Sequence, residues 1–449
     1  MTKLFVKNKT FYKTALLIAL PIVLQNMITI GVNIMDTVML GSYGEIQLSG
    51  SSLANEFINI FHILCMGMGS GATVLTAQFF GRRDMESIRR TVSIMMRISL
   101  FVAALFTIVT ILAPSFIMSI FTDDAAVIEK GRIYFLWSAP SYVLMGISLT
   151  LTLILRSVRK VVLPLVTSII CFFVNVFFNW VFIFGNLGAP EMQIAGAALG
   201  TVIARVVETL IIGVYVLKVE KDIGFRIKDL FGSTGGLLPT YVKYSMPVFI
   251  SDAMLALGNS MMSVVIGHIS TEYVAANAIV ATMVRLSTVF TQGLGQASGI
   301  MTGNTLGRGE KERAYRESVT FVTLSFLIGL LAAGIIMALC PFVIGLYNIE
   351  PLTREIAFKL MYAVAIMVVF QSMQSVLTKG VLRGGGDTKF LMFADVAFLW
   401  LASIPLGALF GLVFELDPFL VYMALKIDWM IKTFICLYRL KTKKWIRIV

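Results

Sequence analysis

The chain has 449 residues, 58% of them hydrophobic and only 14% charged, and its mean hydropathy is +0.88. Apolar runs of about 20 residues, enough to cross a bilayer as helices, recur along nearly the whole length and exclude a water-soluble domain. They also exclude a β-barrel, whose strands alternate polar and apolar residues over about 10 positions.

Met1 to Thr14 is polar and basic and enters the first apolar run with no small-residue cleavage site after a short core, so a retained helix is expected and not a signal peptide. Span 1, residues 15–40, carries Pro21, Gln25, Asn33 and Asp36. Asp36 lies about 22 Å along a helix from Pro21. A carboxylate inside hydrocarbon is costly unless paired, solvated or neutralised, so Asp36 is a functional candidate. The alternative is a side chain that snorkels to the outer interface near Gly41. Pro21 cannot donate its backbone bond, which frees the Leu17 carbonyl and makes Pro21 a candidate hinge, although proline is common in membrane helices.

Spans 2 to 4 are expected at 52–80, 91–113 and 134–155, with Arg97 near enough to the end of span 3 to snorkel. Span 5, residues 163–184, lies in a stretch from Val161 to Pro190 without any charge and carries Asn175 and Asn179. Four residues apart, these two offer carboxamide oxygens from one helix face. They would serve equally as interhelical glue. Span 6, residues 194–216, holds Thr201 and the Arg205–Glu208 pair, spaced to neutralise each other. Spans 7 to 12 are expected at 240–266, 275–306, 317–339, 357–382, 390–414 and 419–440. Asp252 in span 7 and Arg285 in span 8 have no local partner of opposite sign, so a mutual pair is one reading and a second ion site at Asp252 another.

Basic residues fall at the N-terminus, in alternate loops from the one between spans 2 and 3 onward, and at the C-terminus; the opposite loops hold Lys130, Arg132, Arg354 and Lys359. This asymmetry places both termini in the cytoplasm. The net charge of +12 is therefore read as topology, with anionic lipid and not nucleic acid as its partner. Cys65, Cys171, Cys340 and Cys436 sit alone in four different spans, which fits neither disulfides nor a metal site. Arg383-Gly384-Gly385-Gly386-Asp387 is glycine-rich but lacks the lysine of a phosphate-binding loop, which disfavours ATP-driven transport. The 25 Met and 33 Phe suit an adaptable pocket or a lipid-facing surface.

The chain also repeats itself. Pro21 matches Pro247, Gly41 matches Gly267, and Gly67 to Thr76 lies over Gly293 to Thr302 without a gap, followed by Gly81-Arg82 over Gly307-Arg308. Prolines and glycines in register across two loops point to duplication. The expected halves are residues 1–217 and 240–449, joined by a basic linker at 218–239. Six spans per half give parallel repeats, a known transporter plan with its site near mid-membrane.

Taken together, Leu20-Pro21, Asp36-Thr37-Val38-Met39-Leu40-Gly41, Gln78-Phe79-Phe80-Gly81-Arg82 and Asn175 to Asn179 running into Phe182-Ile183-Phe184-Gly185 resemble the MATE (multidrug and toxic compound extrusion) family in its bacterial NorM/DinF-like form. Gly196-Ala197-Ala198-Leu199-Gly200-Thr201 and Leu382-Arg383-Gly384-Gly385-Gly386-Asp387-Thr388 add to the likeness. The resemblance implies an all-α membrane protein of twelve transmembrane helices, in two six-helix pseudo-symmetric lobes forming a V-shaped cavity. It implies a monomer in the cell membrane, with no enzyme activity and no cofactor, that exports small, cationic organic compounds in exchange for inward H⁺ or Na⁺. Asp36 would be the coupling residue, with Asn175, Asn179, Thr201, Gln25 and Asn33 lining its cavity and Na⁺, if used, bound at Asp36, Asn175 and Asn179. The resemblance also implies acidic residues in spans 7 and 10 of NorM-type members. Here Ser372 stands at the span-10 position and Asp252 lies only near the span-7 one, so coupling is expected in the N-terminal half. A lipid-precursor flippase of the wider superfamily is the alternative, and it would need a basic cavity; a channel would conduct without counter-transport, and a membrane enzyme would need a nucleophile or metal constellation.

Overall fold

A computed structural model describes residues 5–345, 347 and 349–448, so Met1 and Val449, the outer ends of the expected halves, lie outside it. Among the described residues every regular element is helical. Helices α1 (Lys9–Tyr43), α2 (Glu45–Arg82) and α3 (Met85–Leu112) carry the first three expected spans. The fourth is a broken span, α4 (Ala125–Ser138) and α5 (Ser141–Ser157), bent by 55° where Pro140 interrupts the ladder. Then come α6 (Val162–Phe184) and α7 (Ile194–Val214). The second half contains α8 (Leu237–Ile269), α9 (Thr271–Gly307), α10 (Lys311–Gly345) and α11 (Pro351–Ser375), the last continuing through a wider π-turn at Val376–Val381. Helix α12 (Thr388–Phe398) likewise continues through π-turns, and α13 (Pro418–Leu425) and α14 (Ile427–Lys441) share the final span. Each of the twelve expected spans falls on helix.

The sides of these helices are apolar because lipid, not water, is their solvent: Leu16, Phe101, Phe173, Leu331 and Leu401 are all exposed. Polar backbone is satisfied internally and packing depends on close approach, which small residues permit. The chain divides into two compact units, one of residues 24–76 and 83–242, the other of residues 1–23, 77–82 and 243–449. The boundary within α1 falls at Val23–Leu24, two residues beyond Pro21, although the helix itself runs on without interruption.

In the second of these units the two copies of the repeated loop motif pack on each other. A Cβ on Gly81 would collide with the Asn304 carbonyl, and one on Gly307 with the Gln78 carbonyl. Asn304 Nδ2 donates to the Ala77 carbonyl at 2.9 Å, and Gln78 Nε2 to the Arg447 carbonyl at 3.1 Å. Gly81 and Gly307 are therefore required by contact between backbones. The Arg383–Asp387 loop is explained in the same way: Gly385 lies against the ring of Trp445, Gly386 has φ +84°, and Asp387 binds Arg439 at 2.7 Å and Arg447 at 2.8 Å. It fastens the C-terminal segment.

Candidate functional site

Helices α6 and α7 form an antiparallel hairpin whose tightness follows from glycine. Gly185 ends α6 at φ +70°, the left-handed turn that stops a helix. Gly196 and Gly200, spaced as a small-xxx-small pair, let α7 approach the backbone of α6. A Cβ at Gly196 would strike the Phe182 carbonyl, and one at Gly200 would strike Asn179 Oδ1. This approach buries Asn175 and Asn179 at 2% and 0% exposure.

The two amides, together with residues from α1 and α7, form one hydrogen-bonded chain. Asn179 Nδ2 donates to Asp36 Oδ1 at 2.6 Å and also lies 3.3 Å from Asn175 Oδ1. Asn175 Nδ2 in turn donates to Thr201 Oγ1 at 3.4 Å. Asn179 Oδ1 is buried with no hydrogen-bond partner among the described residues. Four of the six expected cavity residues are thus brought together. Beside them lies an apolar layer of Met39, Leu40, Ala54, Ile183, Ile194 and Ala198.

A further residue, Tyr134 of α4, is added by the structure. Its buried hydroxyl donates to Asn55 Oδ1 at 3.4 Å, reaches Thr201, and stands within electrostatic range of Asp36. No local pattern in the sequence marks Tyr134; only the fold brings it here. Arg205 also acts on Asp36 from a distance, but its guanidinium pairs with Glu208 at 2.6 Å, the neutralisation expected from their spacing. Among the described residues no Lys or Arg pairs with Asp36, whose bonded partner is an uncharged carboxamide.

Two expected members go elsewhere. Gln25 lies about 16 Å back along α1, where its Nε2 donates to Ser168 Oγ at 3.0 Å and its Oε1 accepts from the buried guanidinium of Arg156. It therefore solvates a cation of its own. Asn33 is exposed, and its backbone carbonyl accepts the Thr37 hydroxyl at 2.8 Å. Asp252 is paired with Arg383 at 3.1 Å and not with Arg285. Residues 131 apart met here, which no local spacing could signal. Met262, which stands at the Asp36 position in repeat register, is buried and lies 3.7 Å from the Lys426 ammonium through its sulfur.

The second half also buries charges that sequence reading passed over. Lys432 Nζ lies 2.8 Å from Asp428 and 3.4 Å from Asp395, with all three side chains at most 3% exposed. Ser251 donates to Asp395 and Ser403 to Asp428, each at 2.8 Å. The spacing of Asp428 and Lys432, one helical turn, was a usable signal for half of this network.

A sequence profile of the MatE family matches residues 21–181 and again 247–409. The two matches begin 226 residues apart, in register with the internal repeat. The "Probable multidrug resistance protein NorM" of Listeria monocytogenes is 26% identical over 443 residues, covering 96% of this chain and 94% of that protein. The protein of the same description from Thermotoga maritima is 24% identical, covering 96% and 93%. Among solved structures, a Vibrio cholerae MATE transporter, VcmN, superposes with a TM-score of 0.88 over 98% of both chains at 15% identity. A MATE protein described in a bent conformation gives 0.87 at 17% identity, over 97% of this chain and 96% of its own. These structural likenesses speak for the fold, and the profile matched twice along most of the chain speaks for descent: the protein belongs to the MatE family of multidrug efflux transporters.

Proposed function

We propose that this chain is a secondary antiporter that expels organic cations in exchange for H⁺ or Na⁺, coupled through Asp36. The observation that carries this reading is a carboxylate within a membrane-spanning helix whose partner is the neutral amide of Asn179. A charge in hydrocarbon without a counter-ion is retained for use and not for stability. Such a group is neutralised when a proton or Na⁺ arrives, and a cationic substrate competes for the same negative charge. Linkage makes the competition reciprocal: the factor by which the ion weakens substrate binding is the factor by which substrate weakens ion binding. Tenfold antagonism corresponds to about 1.4 kcal/mol.

The orientation of Asn179 favours a proton over Na⁺ in this reading. A protonated Asp36 still accepts the Asn179 N–H at Oδ1, so nothing has to move. Na⁺ prefers oxygen ligands, and Asn179 would have to turn its unpartnered Oδ1 toward Asp36 to serve with Asn175 and Thr201. A proton therefore suits this arrangement more directly. The carboxylate of Asp36, with no cation paired to it among the described residues, also argues against a flippase for pyrophosphate-linked lipids. Pro21, beside the boundary between the compact units, is the natural place for a conformational hinge.

The test is efflux of a fluorescent cation from proteoliposomes under an imposed H⁺ gradient, and separately under a Na⁺ gradient. An inward ion gradient is expected to drive uphill cation movement, with H⁺ the stronger. If neither gradient drives transport, or if current flows without counter-transport, the antiport reading fails.

A further inference from the structure

We propose that the linker between the two halves carries a binding site for the headgroup of an anionic phospholipid, clamped between α3 and the segment from Gly224 to Ser233. A cavity of about 380 Å³ lies there, lined by Arg89, Ser93, Arg226 and Lys228 together with Glu86 and Asp229. Its two carboxylates are already engaged. Glu86 pairs with Arg90, and Asp229 Oδ2 accepts the backbone N–H of Arg226 at 2.8 Å. The side chains of Arg89, Arg226 and Lys228 form no ion pair among the described residues, and with Arg90 they set four cations against the two carboxylates of the lining, a net charge of +2. Guanidinium groups match phosphate oxygens in geometry as well as in charge.

The cavity is built and not a chance gap between loose loops. Ser93 Oγ donates to the Asp229 carbonyl at 2.7 Å, and the Arg97 guanidinium holds the carbonyls of Leu230 and Gly232. These bonds fix its depth as well. From Ile98 onward α3 contains no charged residue, so the linker is pinned at the level where hydrocarbon begins. At that level the short turn Ile227–Phe231 exposes Phe231 at 87% and Ile227 at 61%, next to the cations of the cavity. An aromatic and an aliphatic side chain presented beside a phosphate-sized basic pocket are the two halves of an interfacial anchor. A soluble anion would use only the basic half. A phospholipid uses both, and this is why the occupant is assigned as lipid. The consequence is that the one segment joining the two halves is tied to the leaflet it faces.

Native mass spectrometry of the full chain, with thermal unfolding as a second readout, tests this. Phosphatidylglycerol is compared with phosphatidylcholine of the same acyl chains and with inorganic phosphate. Phosphatidylglycerol is expected to be retained and to raise the unfolding temperature more than either of the others. Each basic residue near a membrane surface contributes about fivefold in affinity, so R89Q/R226Q/K228Q should weaken phosphatidylglycerol binding about a hundredfold. Arg89→Lys with Arg226→Lys keeps the charge and should keep most of the preference, which guards against misreading a folding defect. Phe231→Ser should weaken the lipid and leave inorganic phosphate unchanged. Equal retention of the two lipids, or full retention by the triple variant, overturns the proposal. A stabilisation by inorganic phosphate that matches phosphatidylglycerol would make this a site for a free anion and overturn the lipid assignment.

Discussion

Asp36 and Asp395 are both carboxylates held within helices of an apolar chain, yet their surroundings are built from opposite materials. Asp36 faces the carboxamide of Asn179 at 2.6 Å and has no cation paired to it among the described residues. Asp395 shares the ammonium of Lys432 with Asp428, while Asp252 faces Arg383 and Asp387 holds two arginines. A carboxylate next to a fixed cation is neutralised permanently and has little reason to release or accept an ion. One next to amides is neutralised only when something mobile arrives. The contrast teaches how the same residue type is held by fixed cations in one half and left without one in the other, where the proposed antiport would use it for exchange.

The sharpest way to break the comparison is Asp36→Asn, which keeps the shape of the side chain and removes its charge. Gradient-driven cation efflux from proteoliposomes should be lost almost entirely, with the unfolding temperature close to that of the parent. Near-normal efflux at matched protein levels would mean that the open carboxylate is not the coupling group. The converse change belongs to the structural network. Lys432→Met leaves Asp395 and Asp428 without their shared counter-ion and should cost about 3–5 kcal/mol, the usual penalty for breaking a buried pair. Adding Asp428→Asn should recover part of that loss. A Lys432→Met protein as stable as the parent would show that the network is not a structural clamp.

A smaller effect is expected from Gly200→Ala. The new Cβ would meet Asn179 Oδ1 and the Asn179 backbone nitrogen, displacing the amide that holds Asp36. Efflux should fall about tenfold, the size of a 1.4 kcal/mol disturbance, at matched protein amounts, with about 1–3 kcal/mol of stability lost to overpacking. Unchanged efflux would free Asn179 from any part in coupling.

How far this contrast could be read from the sequence depends on the range of the signal. Asn175 and Asn179 share a face because they are one turn apart, and Asp36 stands out because charge is rare in such spans. Prolines and glycines in register exposed the duplication. Those are local or periodic features. The partner of Asp252 is different: Arg383 belongs to a glycine-rich loop far along the chain, and only packing brings them together. Gln25 looked like a cavity residue because it shares a helix with Asp36, but its rise along that helix carries it to Arg156. Tyr134 carried no local mark at all, whereas Asp395, a carboxylate inside the span expected at 390–414, carried the same mark as Asp36 and was passed over. Within a helix, spacing predicts neighbours; between helices, the side chains that meet are set by which glycines allow close approach.

The pairing of Asp252 gives the smallest and most discriminating expectation. Were both halves to take part in ion exchange, Asp252→Asn should abolish efflux as Asp36→Asn does. In the arrangement found, the Asp252 carboxylate is already spent on Arg383, and the repeat position equivalent to Asp36 is Met262, which cannot bind an ion. Ser372, buried in α11, supplies no second carboxylate. Removing the charge of Asp252 leaves the Arg383 guanidinium short of a partner, so some stability should be lost, about 1–3 kcal/mol for an unsatisfied, largely buried group. Ion-driven efflux should nevertheless remain within a fewfold of the parent once protein amounts are matched. Measured side by side in the same vesicles, the two aspartate variants separate a structural charge from a working one. Equal loss of transport in both would show that a paired carboxylate can also be a coupling site, and the distinction drawn between the two halves would have to be abandoned.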